Sequence, residues 1–217
     1  MPAAAARRSP LALVVLTLLA ERPMHPYGML QTMKQRQKTS IVNINQRNSL
    51  YQVIDRLVRD GLAAVDTTER AENRPERTLY RITDEGRAAA EQWVEQLLAS
   101  AKPEYPSFPV ALSLAMIVSP SRVVEALKAR LTALADQRAE TRASLADADA
   151  MTLPRLFVLD DEYRDAMLDA EMAWMSALVT RLQSGELTWS EEWIAGVAAR
   201  FAQPEAPETA TPPHQPR

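Results

Sequence analysis

The stretch RNSLYQVIDRLVRDGL, from Arg47 to Leu62, decides how the rest of this chain is read. Its apolar residues Leu50, Val53, Ile54, Leu57 and Val58 fall at i, i+3, i+4, i+7 and i+8, the spacing of an amphipathic helix. Around the other side of that helix lie Asn48, Ser49, Gln52, Arg56 and Arg59, with Tyr51 at the border and a single acid, Asp55. Asn, Gln, Ser and Arg are the side chains that hydrogen-bond base edges and phosphates. Two readings follow: a solvated helix face, or a helix that enters a groove of DNA.

Charge favours the second reading once its distribution is considered. The net charge of the 217 residues is −3, which by itself argues against a polyanionic partner. Residues 1–100, however, hold 14 Lys and Arg against 11 Asp and Glu, a net of +3, and residues 101–217 hold 11 against 17, a net of −6. Within 22–59 there are seven basic residues and one acid, so positive charge gathers around the opening helix. With 47 % hydrophobic and 24 % charged residues the composition is globular rather than disordered. Cysteine is absent, which removes disulfides and thiolate chemistry and suits the cytoplasm. The run LALVVLTLLA after Arg7 and Arg8 has the look of a secretion signal. It is too short to span a bilayer and keeps helical spacing, so we read it as a buried first helix.

Ser9-Pro10 opens that helix and Glu21-Arg22-Pro23 closes it. His25-Pro26 starts a second helix, expected to turn Tyr27, Leu30 and Met33 to the core and Lys34, Arg36 and Lys38 outward. A polar connection through Asn43 and Asn45 leads to the opening helix, which Gly61 can terminate in the left-handed region. Then the period changes. Leu62–Thr68 and Glu76–Ile82 are short β-type stretches flanking a charged tip with Arg70, Asn73 and Arg74, the pattern of a hairpin. Thr83 caps a long helix that runs through Trp93, Leu97 and Leu98 to about Ala101. Three helices followed by a hairpin is the order of a winged helix-turn-helix, with a small α+β domain as the plain alternative.

Three prolines within Lys102–Pro109 mark a boundary. Beyond it Ser119–Asp149 and Leu156–Ser184 are long amphipathic helices, the second with Tyr163, Met167, Trp174, Met175, Leu178 and Leu182 in phase. The expected partner for these stripes is the same pair from a second copy, with packing on the helix at 84–101 as the alternative. The fold class is therefore mainly α with a small β-hairpin wing. It comprises a winged helix-turn-helix with its connecting helix at 9–101, a helical dimerisation domain at 110–202, and a proline-rich disordered tail at 203–217.

No catalytic constellation is visible. His25 and His214 are far apart in sequence, and His25 reads as a helix-start residue rather than a base or ligand. The glycines at 28, 61, 86, 185 and 196 build no phosphate loop. The carboxylates of Asp160-Asp161-Glu162 and Glu191-Glu192 read as helix-start charges. We expect no enzyme, no cofactor and no metal.

The segments LLAERPMHPYGMLQTM, NSLYQVIDRLVRDGL and RTLYRITDEGRAAAEQW together resemble, in order and spacing, the signature of PadR-type transcriptional regulators. The likeness covers about residues 11–100, and DDEYRDAMLDAEMAWMSALVTRLQSGELTW resembles the helical dimerisation region of the longer members. It departs at Pro26, where the family often has Gly, at Gly28, where it often has Glu, at Asn48-Ser49 for Gly-Thr, and at Gln52 for Pro. The resemblance implies a homodimeric regulator, usually a repressor, on an inverted-repeat operator in double-stranded DNA, often released by a small molecule. It implies that Tyr27 lies against the phosphate backbone and that Asn48, Ser49, Tyr51 and Gln52 enter the major groove. Arg56 would touch phosphate, and Arg70, Asn73, Arg74 and Arg77 would serve the wing. For Tyr27 and Tyr51 a buried ring is the alternative, and for the wing arginines a solvated tip. Trp93 and Trp174 are candidates to sandwich a planar organic effector, or simply to fill the core; some relatives bind planar compounds at such a position. Tyr163, Met167, Trp174, Leu178 and Leu182 are the candidate dimer residues. The rival to a DNA-binding regulator is a winged module that binds protein.

Overall fold

The computed structural model describes residues 9–36, 42, 47–69, 77–102 and 104–201. Its contacts divide the chain into two units, Met1–Pro103 and Glu104–Arg217, the division falling inside the proline-rich stretch.

Helix α1 (Pro10–Glu21) is the centre of the first unit. Ser9 accepts the amide hydrogen of Ala12 at 3.1 Å, and Pro10 occupies the first turn, where no amide donor is needed. Leu11, Ala12, Val15, Leu16, Leu18 and Leu19 are all buried, which accounts for the unbroken apolar run. Helix α2 (Pro26–Gln35) buries Pro26, Met29, Thr32 and Met33. Tyr27 is 64 % exposed, against the expectation that it turns to the core. It stands two residues from Met29, about 200° round the helix, so the two cannot share a face.

Helix α3 (Arg47–Arg59) seats Leu50, Val53, Ile54 and Leu57 in the same core. Gly61, at φ +74°, ends it: its N–H donates to the Val58 carbonyl at 3.1 Å, and Leu62 N–H to the Leu57 carbonyl at 2.8 Å. That pair of bonds is a Schellman cap. Strands β1 (Ala63–Glu69) and β2 (Arg77–Ile82) pair antiparallel from Ala63 opposite Ile82 to Glu69 opposite Arg77, with a bulge at Asp66. Met24, between α1 and α2, exchanges two backbone hydrogen bonds with Tyr80 at 3.0 and 2.9 Å, which ties that linker to the wing.

Helix α4 (Asp84–Ala99) starts at a joint. Thr83 Oγ1 accepts from Gly86 N–H at 3.0 Å and donates to the Gly61 carbonyl at 2.7 Å. A Cβ on Gly86 would lie 1.9 Å from the Leu62 carbonyl oxygen, so only glycine allows this approach.

The second unit holds α5 (Ser107–Ser113), α6 (Pro120–Ala150), α7 (Leu159–Gln183) and α8 (Glu191–Phe201), with 3₁₀ turns at Ala115–Ile117 and Arg155–Val158. Helices α6 and α7 form an antiparallel hairpin closed by Val124, Leu127 and Leu134 against Leu168, Met175, Val179 and Leu182. Here the sequence reading is corrected. The long helices do find a partner within the chain, each other, and Leu182 is only 7 % exposed in that seam, with Leu178 packed beside it. Both were expected on a surface between copies. Along the seam Arg130 pairs with Glu171 at 2.7 Å, Arg138 with Asp165 at 2.9 Å and with Asp169, and Arg142 with Asp165 at 3.0 Å.

Candidate nucleic-acid interface

The exposed side of α3 follows from what the other side must bury. With Leu50, Val53, Ile54 and Leu57 inward, Tyr51, Gln52, Asp55 and Arg59 are solvent-facing, while Ser49 and Arg56 are half-buried. Tyr51 is 52 % exposed, so the buried-ring alternative does not hold for it, nor for Tyr27. Asn48 lies in the first turn of α3, and Arg77 opens β2 opposite Glu69. The wing-tip candidates Arg70, Asn73 and Arg74 lie outside the described residues, as do Lys38, Asn43, Asn45 and the tail from 203.

Tyr80 and His25, which the sequence reading did not assign to the site, act on its candidate residues. Tyr80, on β2, is half-buried, and burial first, then Asp55 and then Tyr51, push its hydroxyl above the ordinary phenol range. It stays a neutral phenol in the field of the α3 face. His25 caps α2, its Nδ1 accepting Gly28 N–H at 3.0 Å, and its ring stacks on Tyr27 at 6.1 Å between centroids and 18° between planes. The motif His25-Pro26-Tyr27 signalled the cap, but stacking of residues two apart is invisible until the backbone turn is known.

Not every cation here is available. Arg36 holds Glu21 in a bidentate pair, Nη2 to Oε2 at 2.8 Å, which ties the end of α2 to the end of α1. That guanidinium keeps the Glu21 carboxyl below its usual range. Arg81 on β2 stands 3.7 Å from Asp66 at the bulge. Lys34, Arg22 and Arg59 remain exposed.

Of the two tryptophans, Trp93 is 6 % exposed and belongs to the core of the first unit, whereas Trp174 is half-exposed on α7 of the second. Trp93 also edges a cleft of about 160 Å³ between the start of α1 and the end of α4, lined by Ser9, Pro10, Leu13, Gln96, Leu97 and Ser100. Gln96 Oε1 is buried there without a hydrogen-bond partner among the described residues. Among the described residues no acid–histidine group is arranged to hold a metal, and no helix is long and apolar enough to cross a membrane.

Residues 15–92, which run from α1 to α4, match the transcriptional regulator PadR-like family. The match covers the winged unit, about a third of the chain. No curated protein sequence matches the chain. Among solved structures it is similar to Bacillus subtilis PadR in complex with operator DNA, at 14 % identity and a TM-score of 0.66, over 80 % of this chain and 99 % of that one. The same protein in complex with p-coumaric acid superposes with a TM-score of 0.63 at 14 % identity, over 80 % of this chain and 98 % of that one. The Vibrio cholerae virulence activator AphA matches at 19 % identity and a TM-score of 0.64, over 80 % of this chain and 98 % of that one. At these identities the likeness shows a shared fold: a winged unit and a helical unit.

Proposed function

We propose that this protein is a sequence-specific DNA-binding transcriptional regulator that acts as a homodimer on an inverted repeat. The observation that carries the proposal is the side of α3 left open by its own packing, where Tyr51, Gln52 and Arg59 are exposed, as Tyr27 is on α2. An α-helix with an amide and an arginine on its outer face fits the major groove, where Gln pairs with adenine and Arg with guanine or phosphate. Operator DNA in the complex of the PadR homologue supports the same use of this fold. The outward stripe Tyr163, Met167 and Trp174 on α7 is the surface for the second copy, the first of these being 69 % exposed. A two-fold pair of readers meets half-sites about one helical turn apart or a multiple of it.

An organic effector occupies the cleft beside Trp93, its ring plane against the indole and a donor group on Gln96 Oε1. The p-coumaric acid complex of the PadR homologue supports ligand control in this fold. Repression and activation are both compatible with it, since AphA is described as an activator.

Fluorescence anisotropy on the duplex upstream of the protein's own coding sequence, against a scrambled duplex and across a salt series, tests the reading. The native duplex is preferred, the affinity falls steeply with salt, and Gln52→Ala loses about ten-fold or more on the native duplex with helicity unchanged. Equal, weak binding of both duplexes in wild type would favour a winged module that binds protein.

A further inference from the structure

We infer that His25 is a positioning residue for DNA docking, active only as the neutral imidazole. The inference rests on the DNA-binding reading above. Nδ1 of His25 accepts the Gly28 amide hydrogen at 3.0 Å, so that nitrogen must carry a lone pair, and the ring proton is confined to Nε2. The ring also lies over the Gly28 backbone, with Cε1 3.6 Å from where a Cβ would be. Its other interaction is with Tyr27, stacked at 6.1 Å and exposed on α2, the residue assigned above to the DNA backbone. One imidazole thus fixes both the first turn of α2 and the plane of the one aromatic ring that α2 presents to solvent. Protonation at Nδ1 replaces an acceptor with a donor aimed at another donor, and adds positive charge at the positive end of a helix. Both changes act in one direction: the first turn of α2 opens and Tyr27 loses its support.

Tyr27 from α2 and Arg22 from the preceding linker are the charged or titratable neighbours of His25 in sequence. From β2, Tyr80 approaches through its backbone pairing with Met24. Among the described residues the ring's hydrogen-bond partner is the Gly28 amide, and no carboxylate forms an ion pair with it. The sign of the pH effect is therefore diagnostic. A histidine that merely stood near phosphates would gain charge on acidification and tighten binding. A capping histidine loses its acceptor and weakens it.

The test uses the full chain, in which His25 and His214 are the two histidines, so that His214→Gln assigns the imidazole signals. Long-range imidazole nitrogen–proton spectra at about pH 8 should show His25 as the Nε2–H tautomer, and the Gly28 amide should lose protection as the ring charges. In parallel, anisotropy on the upstream duplex is followed from about pH 8 to about pH 5.5, within the range where an imidazole charges. The expected result is a loss of about five-fold in affinity beyond that of the scrambled duplex, a matching loss at high pH in His25→Ala, and recovery with no pH step in His25→Asn, since Asn caps without titrating. Affinity that rises or stays level on acidification, or an Nδ1–H tautomer, overturns the proposal alone. If no duplex binds at about pH 8, the DNA-binding reading fails and the docking role fails with it, while the tautomer still reports whether the cap forms.

Discussion

Gly86 and Gly196 differ in what a methyl group would meet. At Gly86 a Cβ runs into the Leu62 carbonyl, oxygen at 1.9 Å and carbon at 2.8 Å, both backbone atoms that cannot swing aside. Gly86→Ala should cost about 3 kcal/mol, read as a lower midpoint in urea unfolding of the full chain. Gly196 lies inside α8 with nothing within 4 Å, so Gly196→Ala should stabilise by about 0.5–1 kcal/mol in the same measurement. At this scale the caps were readable beforehand: Ser9, His25, Gly61 and Thr83 all sit where their side-chain chemistry or φ preference demands. The orientation of Tyr27 was not. An aromatic ring usually marks the buried face, and only the stripe Pro26, Met29 and Met33 shows which way α2 turns. The bulge at Asp66 was equally hidden, because one extra residue in a strand leaves composition and alternation nearly intact.

Helix α7 shows why periodicity alone misplaced some residues. It carries two apolar stripes: Leu168, Met175, Val179 and Leu182 face α6, and Tyr163, Met167 and Trp174 face outward. A sequence pattern reports that apolar residues recur, and the two stripes overlap when read as one, so Leu178 and Leu182 fall in phase with Trp174. The two sets should separate under mutation. Leu182→Ala should destabilise the helical unit by about 2–5 kcal/mol. Met167→Glu should leave far-UV ellipticity unchanged and shift the protein from dimer to monomer in size-exclusion chromatography with light scattering; a mass that stays dimeric would remove the outward stripe from the interface. The polar edge of the same hairpin sets its acid limit. Arg142 first, and Arg138 next, hold the Asp165 carboxyl below its ordinary value of 3.8 by hydrogen bonding. A depressed carboxylate contributes stability in full above its unfolded value and loses it as pH falls through the lower folded one. Helicity should therefore begin to fall below about pH 4, and Asp165→Asn should lower stability at neutral pH while flattening that acid limb.

Across the whole molecule the two halves of the sequence carry opposite net charge, +3 over residues 1–100 and −6 over residues 101–217. That asymmetry was plain in the sequence, and so was the order of helices and hairpin. Which surface would face outward on α3 followed from both, because a helix with four buried apolar residues has only one side left. The pairing of α6 with α7 was not legible, since a stripe does not say whether its complement lies in the same chain. The joint between α3 and α4 is tightly built. Thr83 bonds at once to the last turn beyond α3 and to the first turn of α4, and Gly86 brings the two backbones into contact. Reader and arm are therefore one solid piece, and a push on the arm carries the reader along without reshaping it. On the proposed DNA-binding reading, the sequence a half-site must have and the gap between half-sites can then change separately.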